Sequence, residues 1–253
     1  MATSCGAGSA SVPGRRSIAV SAHGGCDAQA RALAARLGLP LAQGADASSC
    51  DYVIEFTPRG LALRDVRDVR LKPLVVDLSV KPRRVSRRDL LPRAIGRKVL
   101  TVVDATAGLG RDALLLAGAG FRVTAIERCP VISALLADAL RRAEGTWADA
   151  ITVVEGDALE VLRVMDPVDA VYLDPMYPPS PKPSALAGKE LRMLRDIVGT
   201  DADASELLSA ARRCARRRVV VKRPLRAPPL AANPLGCHRG KLVRYDVYGP
   251  ESS

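Results

Sequence analysis

The chain has 253 residues, of which 48% are hydrophobic and 26% are charged, and this composition excludes wholesale disorder. No apolar run approaches the roughly 18 residues that a membrane-spanning helix requires. With only 1 Trp, 5 Tyr and 2 Phe, the core must consist mainly of Ala, Leu and Val. The 6 cysteines form no CxxC pair, which argues against a structural zinc site or a disulfide framework and favours reduced thiols in a cytoplasmic protein.

The net charge of +11 is concentrated in two stretches of the chain. Residues 59–98 hold 13 Lys or Arg against 4 acids, and residues 212–244 hold 11 Lys or Arg and no acid. The remainder of the chain is acidic overall, so the two basic stretches predict a polyanionic partner such as a nucleic acid. An Arg-rich genome is the competing explanation, because 31 of the 38 basic residues are Arg.

The N-terminal part of the chain predicts a small α+β unit. Residues 1–16 are small and polar, lack the apolar core of a signal peptide, and are expected to be disordered. One strand, one helix and three further strands are predicted, in that order, at Ser17–Ala22, Cys26–Leu37, Tyr52–Phe56, Leu61–Arg64 and Leu74–Asp77. A basic connector, Lys81–Lys98, follows, so we expect an N-terminal extension over residues 17–98 and a second domain over 99–253.

From residue 99 onward, short apolar strands alternate with helices. Strands are predicted at Val99–Val103, Arg122–Ile126, Ile151–Val154, Ala170–Leu173, Arg218–Lys222 and Leu242–Val247. Helices are predicted at Arg111–Ala119, Pro130–Arg142, Ala158–Val164, Leu191–Val198 and Ala204–Arg216. Strands that are apolar throughout and joined by helices indicate a parallel sheet covered on both faces, so we expect an α/β, Rossmann-like fold.

The predicted chemistry lies at the carboxyl ends of the strands, where ligands of such sheets bind. The first strand leads through Asp104 into a loop with Gly108 and Gly110, which permit a tight turn and a close approach of ligand to backbone at a helix N-terminus. Together with Ala113 these glycines also match a dinucleotide fingerprint, so the loop alone is compatible with NAD. Glu127, after the second strand, suits the ribose hydroxyls of NAD or of S-adenosylmethionine (SAM) equally.

The end of the third strand also carries an acid, and Asp104 at the end of the first strand distinguishes the two cofactors. The third strand leads into Asp157 and Ala158, where an acid commonly contacts an adenine edge, although a role of Asp157 as helix N-cap is an equal alternative. Asp104 favours SAM over NAD, because a carboxylate stabilises a sulfonium and an ammonium whereas a pyrophosphate is itself anionic. The acids therefore predict a cationic cofactor.

The fourth strand ends in Asp174-Pro175-Met176-Tyr177-Pro178, which resembles the D/N-P-P-Y/F motif of amino-methyltransferases. Methyl transfer to an exocyclic amino group needs acceptors for its N–H bonds, and the Asp174 carboxylate and the Pro175 carbonyl suit that role. Tyr177 is suited to stack on the target base. An ordinary Pro-rich turn is the alternative, but the acidic strand ends that precede it in order favour a catalytic site.

The chain resembles the family of ribosomal RNA small subunit methyltransferase J in several motifs that occur in order: DATAGLGRDALLLA, VTAIERCPVISALL, VYLDPMYPP, SALAGKELR, and VVVKRP followed by APPLA. The resemblance covers roughly residues 100–247. It implies SAM-dependent methylation of the N2 amino group of a guanosine in 16S rRNA. It also implies that SAM contacts the strand-end residues Arg111, Asp112, Glu127, Arg128, Asp157, Ala158 and Asp174.

Four basic residues are expected to contact the RNA. Lys182 and Lys189 follow the predicted catalytic turn, and Lys222 and Arg223 end a strand on the same rim. The expected partner is small-subunit rRNA or the assembled 30S subunit, and neither a metal nor a membrane is expected as a partner. Two other hypotheses remain open at this point: an NAD(P)-dependent oxidoreductase, and a non-catalytic RNA-binding protein with a vestigial cofactor pocket.

Overall fold

The structure is a computed structural model that describes residues 16–21, 26–42, 49–79, 85–143, 146–176, 189–199 and 203–251. Within these ranges, no helix has the length and apolar character needed to cross a membrane. The chain divides into two compact units, Met1–Glu55 with Leu63–Pro73, and Phe56–Ala62 with Leu74–Ser253. The boundary that we expect between the N-terminal extension, residues 17–98, and the second domain, residues 99–253, stays a prediction.

The described strands and helices follow the predicted alternation, with ends shifted by a few residues. In chain order they are β1 Ile18–Ser21, α1 Asp27–Leu37, β2 Leu41–Ala42, β3 Tyr52–Thr57, β4 Gly60–Asp65, β5 Leu74–Val75, α2 Leu90–Ile95, β6 Thr101–Asp104, α3 Arg111–Gly118, β7 Arg122–Glu127, α4 Pro130–Arg142, α5 Thr146–Asp149, β8 Ile151–Glu155, α6 Ala158–Val164, β9 Val168–Leu173, α7 Lys189–Val198, α8 Ala204–Cys214, β10 Ala215–Pro224, β11 Gly236–Arg239 and β12 Val243–Tyr248. Two of the predicted helices, α4 and α6, have the predicted bounds.

The structure corrects the sequence prediction in two places. The segment predicted as a basic connector contains α2, whose Leu91, Ala94 and Ile95 are buried, so a short apolar face inside the charged segment is enough to form a helix. The helix predicted to reach Arg216 ends at Cys214, because the chain enters β10 at Ala215 and the strand register shifts between Ala215 and Arg218. β2, α5 and β11 are further elements that we did not predict.

The first unit is built on parallel pairing of β1 with β2 and with β3, and α1 packs against β1. The start of β1 is fixed by Asp51, whose carboxylate accepts hydrogen bonds from the backbone N–H and the hydroxyl of Ser17. These bonds lower the pKa of Asp51, with the backbone donor as the largest cause. The sheet to which these strands belong has the order β2-β1-β3-β4-β5.

The second unit contains a seven-stranded sheet of order β11-β12-β10-β9-β6-β7-β8. The strands from β10 to β8 are parallel, whereas β12 is antiparallel to both β10 and β11. The sheet that we expected to be parallel is therefore mixed at one edge. The order of the parallel strands changes direction at β6, because β7 and β8 follow on one side of it and β9 and β10 on the other. Such a switch point opens a ligand crevice at the carboxyl end of β6.

Small apolar side chains fill the core beside this crevice, as the scarcity of aromatic residues predicted. α6 and α8 pack against each other, and α8 packs against β9 and β10. Leu162, Leu207 and Ala211 of these helices are buried in one cluster with Val171 and Val219 of the strands. This packing fixes the positions of β9 and β10, the two strands whose ends carry the predicted catalytic turn and Lys222.

Candidate active site

A cavity of about 460 Å³ lies at the carboxyl ends of the parallel strands, within the range of about 300–1,000 Å³ typical of small-molecule sites. One wall is apolar and comes from α7 and α8 through Leu194, Val198 and Leu207. The other wall is polar and consists mainly of the strand-end residues Asp104, Thr106, Arg111, Asp112, Arg128, Asp157, Asp174 and Lys222. The crevice predicted from the switch point is thus present, and acids dominate it.

The loop between β6 and α3 depends on its two glycines. Gly108 and Gly110 have φ of 53° and 76°, in the left-handed region that disfavours other residues. A Cβ at Gly110 would also overlap Cδ1 of the buried Leu136 on α4, so a side chain there would force that leucine to move. The loop backbone is attached to β7 by the Ala107 N–H, which donates to the Ile126 carbonyl at 3.0 Å.

Glu127 lies at the end of β7, where the sequence placed it, and is buried. Its Oε2 accepts the Gly108 N–H and its Oε1 accepts the Cys129 N–H, both at 2.8 Å. The carboxylate therefore ties the glycine loop to the segment that begins α4, a contact the sequence did not predict. A ribose contact of Glu127 stays a prediction, and its neighbours Ile126 and Arg128 line the cavity.

Asp157 has the N-cap role, which is one of the two roles that the sequence left open. Its carboxylate caps α6 by accepting the Leu159 N–H at 2.7 Å. Asp157 and Ala158 also line the cavity, and their contact with adenine stays a prediction.

The polar wall is organised around one lysine. Nζ of Lys222, on β10, lies 2.8 Å from Oδ2 of Asp174 and 2.9 Å from Oδ2 of Asp112, at the start of α3. The Tyr172 hydroxyl donates to the same Asp112 oxygen at 2.6 Å. The Asp174 N–H donates to Oγ1 of Thr106 at 2.6 Å, so the glycine loop also fixes the turn after β9. We call Asp112, Asp174 and Lys222 the ionic triad.

Burial shifts the pKa values around the ionic triad. Burial raises the pKa of Asp104 well above its ordinary value, and the charges of Asp112 and Asp174 raise it further. Burial lowers the pKa of Lys222, but Asp174 and Asp112 outweigh burial and raise it above its ordinary value. Lys222 therefore keeps its positive charge next to the two carboxylates, while Asp104 retains its proton to higher pH than an exposed aspartate does.

The other predicted site residues lie in different surroundings. Arg111 and Arg128 line the cavity, and Arg128 forms an ion pair of 3.3 Å with Asp203. Pro175 is buried directly after Asp174. Arg223 is 5% exposed and its Nε donates to the Pro228 carbonyl at 2.9 Å. The remaining residues, Tyr177, Lys182 and the side chain of Lys189, lie outside the described part of the structure.

Sequence reasoning missed the residues that support the predicted acids. Lys222 was expected to face RNA, yet its ammonium lies among carboxylates in the cavity wall. Thr106 and Tyr172 were not singled out, although each hydrogen-bonds a predicted acid. The only available signal was indirect: Lys222 ends a strand, as the acids do.

The cavity fits SAM better than a dinucleotide. SAM carries a sulfonium and an ammonium, which the carboxylates of the polar wall stabilise, whereas the same carboxylates repel a pyrophosphate. Gly108 brings backbone close to the ligand volume at the start of α3, as the cofactor requires. Among the described residues, no group of three or more His, Cys, Asp or Glu side chains is arranged to hold a metal ion.

Comparison with solved structures confirms the fold. A crystal structure of a SAM-dependent methyltransferase from Neisseria gonorrhoeae matches with a TM-score of 0.72 and 31% identity, covering 94% of this chain and 97% of that one. The model of a family described as "Putative SAM-dependent methyltransferase" matches residues 32–250. The cofactor is therefore SAM, and these matches favour a methyltransferase over an oxidoreductase or a non-catalytic RNA-binding protein.

Curated relatives confirm the resemblance seen in the motifs. Proteins named ribosomal RNA small subunit methyltransferase J are 45% identical in Thioalkalivibrio sulfidiphilus, over 87% of this chain and 92% of the relative, and 42% identical in Erwinia tasmaniensis, over 80% and 87%. The relative of that name in Coxiella burnetii is 41% identical over 87% of this chain and 91% of its own. The chain is thus a SAM-dependent methyltransferase and belongs to the family of ribosomal RNA small subunit methyltransferase J.

Proposed function

We propose that this enzyme transfers the methyl group of SAM to the N2 amino group of a guanosine in small-subunit rRNA. The observation that carries the proposal is the position of Asp174, which directly follows β9, lines the cavity and is bound to Lys222 at 2.8 Å. The names of the relatives supply the class of substrate. A cytoplasmic location follows from that substrate, since bacterial ribosomes assemble there.

Bound SAM supplies a methyl group on a positively charged sulfur. The guanine N2 must be held in line with that methyl, and its lone pair, which is delocalised into the ring, must become available. The Asp174 carboxylate and the Pro175 carbonyl accept the two N–H bonds of the amine and orient it. As the N–C bond forms and the C–S bond breaks, the amine loses one proton along its hydrogen bond to Asp174, and that proton then passes to water.

Lys222 and Thr106 hold Asp174 in the orientation that this role requires. The ammonium fixes one carboxylate oxygen and the Thr106 hydroxyl fixes the backbone N–H, so the carboxylate does not depend on the substrate for its position. Preorganised acceptors of this kind lower the barrier because they need no rearrangement during the reaction. The stacking of Tyr177 on the base, and RNA contacts of Lys182 and Lys189, stay predictions.

The proposal is tested by mapping modified nucleotides in small-subunit rRNA by mass spectrometry. Ribosomal RNA from cells that lack the protein is incubated with SAM and either the wild-type enzyme or Asp174→Asn. We expect the wild type to add one methyl group to the N2 of a single guanosine and the variant to add it at least about 100-fold more slowly. Methylation of a different atom, or none by the wild type, would overturn the proposal.

A further inference from the structure

The antiparallel edge of the seven-stranded sheet ends next to the active site. Pro224, at the carboxyl end of β10, pairs with Val243 at the start of β12, and Arg239, at the end of β11, pairs with Arg244 of β12. The hairpin between β11 and β12 therefore turns at the end of the sheet where Lys222 meets Asp174. Lys222 lies two residues before Pro224, about 7 Å along the strand, and β11 is two strands away, about 10 Å.

Two buried guanidinium groups fix the loop that follows β10. Nη1 of Arg244 donates to the carbonyls of Pro224 and Leu225 at 3.1 and 2.8 Å, while its other nitrogens bond Asp246. Nε of Arg223 donates to the Pro228 carbonyl at 2.9 Å. The loop backbone is therefore held rigidly beside the hairpin.

Within the basic stretch 212–244, contacts sort the residues into two groups. Most of the described cations have a partner, for example Arg212 with the Gly249 carbonyl and Arg217 with Asp169. Arg216, at the amino end of β10, is exposed, and its side chain forms no hydrogen bond or ion pair with another described residue. The side chains of Arg226 on the fixed loop, Arg239 at the end of β11 and Lys241 in the hairpin turn are likewise exposed and unpaired among the described residues, but they lie at the other end of the sheet, beside the active site. We call these three residues the rim cations.

The surroundings of the rim cations are positive. The stretch 212–244 contains no acid, and the charge of Arg244 is balanced by the buried Asp246. On β11, burial lowers the pKa of His238, and the guanidinium groups of Arg93 and Arg218 lower it further. Cations that repel one another without an acid between them favour an anionic ligand.

We propose that the rim cations bind backbone phosphates of the rRNA next to the target guanosine. The inference rests on the proposed function and adds to it the surface that holds the substrate. Phosphate contacts fix the register of a nucleic acid on a protein, and each one releases counterions. The alternative is that basic residues protect the exposed edge strand β11 from pairing with another chain.

The test compares two variants with the same change in net charge. The rim variant is Arg226→Gln with Arg239→Gln and Lys241→Gln. The control variant is Arg122→Gln with Arg163→Gln and Arg216→Gln. These three residues are also exposed, but Arg122 begins β7, Arg163 lies in the last turn of α6 and Arg216 lies at the amino end of β10. Binding to a fluorescent fragment of small-subunit rRNA is followed by anisotropy at several salt concentrations.

We expect the rim variant to bind the fragment at least about tenfold more weakly than the control, with a salt slope smaller by about 2–3. In methylation assays its KM for rRNA should rise more than its kcat falls, while its affinity for SAM in calorimetry should equal that of the control. A rim variant that matches the control in slope and in KM would overturn the inference and leave edge protection as the role of these residues.

The outcomes separate this inference from the proposed function. If the wild type transfers no methyl group to rRNA, the proposed function fails, but the anisotropy slopes still decide whether the rim cations bind RNA. If the wild type methylates rRNA and the rim variant binds it with the wild-type slope, the proposed function stands and the phosphate surface is wrong.

Discussion

Lys222 and Lys241 show how differently one residue type is used in two regions of one sheet. In the cavity, Nζ of Lys222 lies within 2.9 Å of two carboxylates, and its side chain is 25% exposed. At the antiparallel edge, Lys241 is exposed and has no ion pair among the described residues. A basic stretch in a sequence therefore does not by itself indicate RNA contact, because burial and pairing decide whether a cation organises the protein or faces a ligand.

Arg244 and Arg239 repeat the contrast across a single strand pair. They are direct neighbours in the antiparallel register of β11 and β12. Arg244 is 7% exposed and bonds Asp246, whereas Arg239 is exposed. The same side chain is thus structural on one strand and available to a partner on the next.

The largest effect is expected from Arg244→Met. The substitution leaves Asp246 buried without its cation, and breaking a buried pair in this way costs about 3–5 kcal/mol of the free energy of unfolding. Arg239→Gln should change that free energy by no more than about 0.5 kcal/mol, as exposed substitutions do. Urea unfolding of the two variants provides the measurement.

A double variant separates charge from packing in this pair. Replacing Asp246 by Leu in the Arg244→Met background removes the unpaired charge and should recover a large part of the lost stability. Equal losses in Arg239→Gln and Arg244→Met would show that the proposed contrast between the two strands is wrong.

The next largest effect is expected from Asp174→Asn. The amide keeps the shape of the side chain but loses the charge and one acceptor oxygen, so kcat for rRNA methylation should fall by about 100-fold to 1,000-fold. Calorimetry should show a loss of SAM affinity below about tenfold, because other acids of the cavity still face the cation. Activity within about twofold of the wild type would remove Asp174 from the catalytic role.

The acids of the site were predictable because the pattern is local. An apolar strand followed by an acid or a glycine loop is visible in the sequence, and parallel strands bring such ends to one edge, as with Asp104, Glu127 and Asp174. The partner of those acids was not predictable, because Lys222 is 110 residues from Asp112 and reaches it only through the strand order of the sheet. α2 and β11 were missed for a related reason, since their short segments are stabilised by neighbours rather than by local pattern.

Lys222→Met tests whether Lys222 has a different role from the rim cations. Removing the ammonium leaves Asp112 and Asp174 without their shared partner, so we expect kcat to fall by about 10-fold to 100-fold through misplacement of Asp174. Lys241→Met removes one proposed phosphate contact and should raise KM for rRNA severalfold while its SAM affinity stays that of the wild type. In the same assay, we expect Lys222→Met to change mainly kcat and Lys241→Met to change mainly KM.

A merely structural role of Lys222 would give a different pattern. In that case Lys222→Met would lower thermal stability, and the remaining folded enzyme would keep the wild-type kcat. Lys222→Arg, which keeps the charge, should recover part of the activity if the cation positions Asp174. An equal loss in Arg and Met would show that the charge is not what Lys222 contributes.

The pH dependence of SAM binding through Asp104 is expected to amount to no more than about tenfold per pH unit. Because the pKa of Asp104 is raised in the folded protein, its contribution to stability is present below the ordinary value of 3.8 and is lost as pH rises through the raised value. Bound SAM, being cationic, favours the ionised carboxylate, so SAM affinity should rise over the same pH range with release of a proton. Asp104→Asn should flatten this rise, which calorimetry in buffers of different ionisation enthalpy measures directly. If the variant keeps the wild-type slope and proton release, the pH dependence belongs to another group of the cavity.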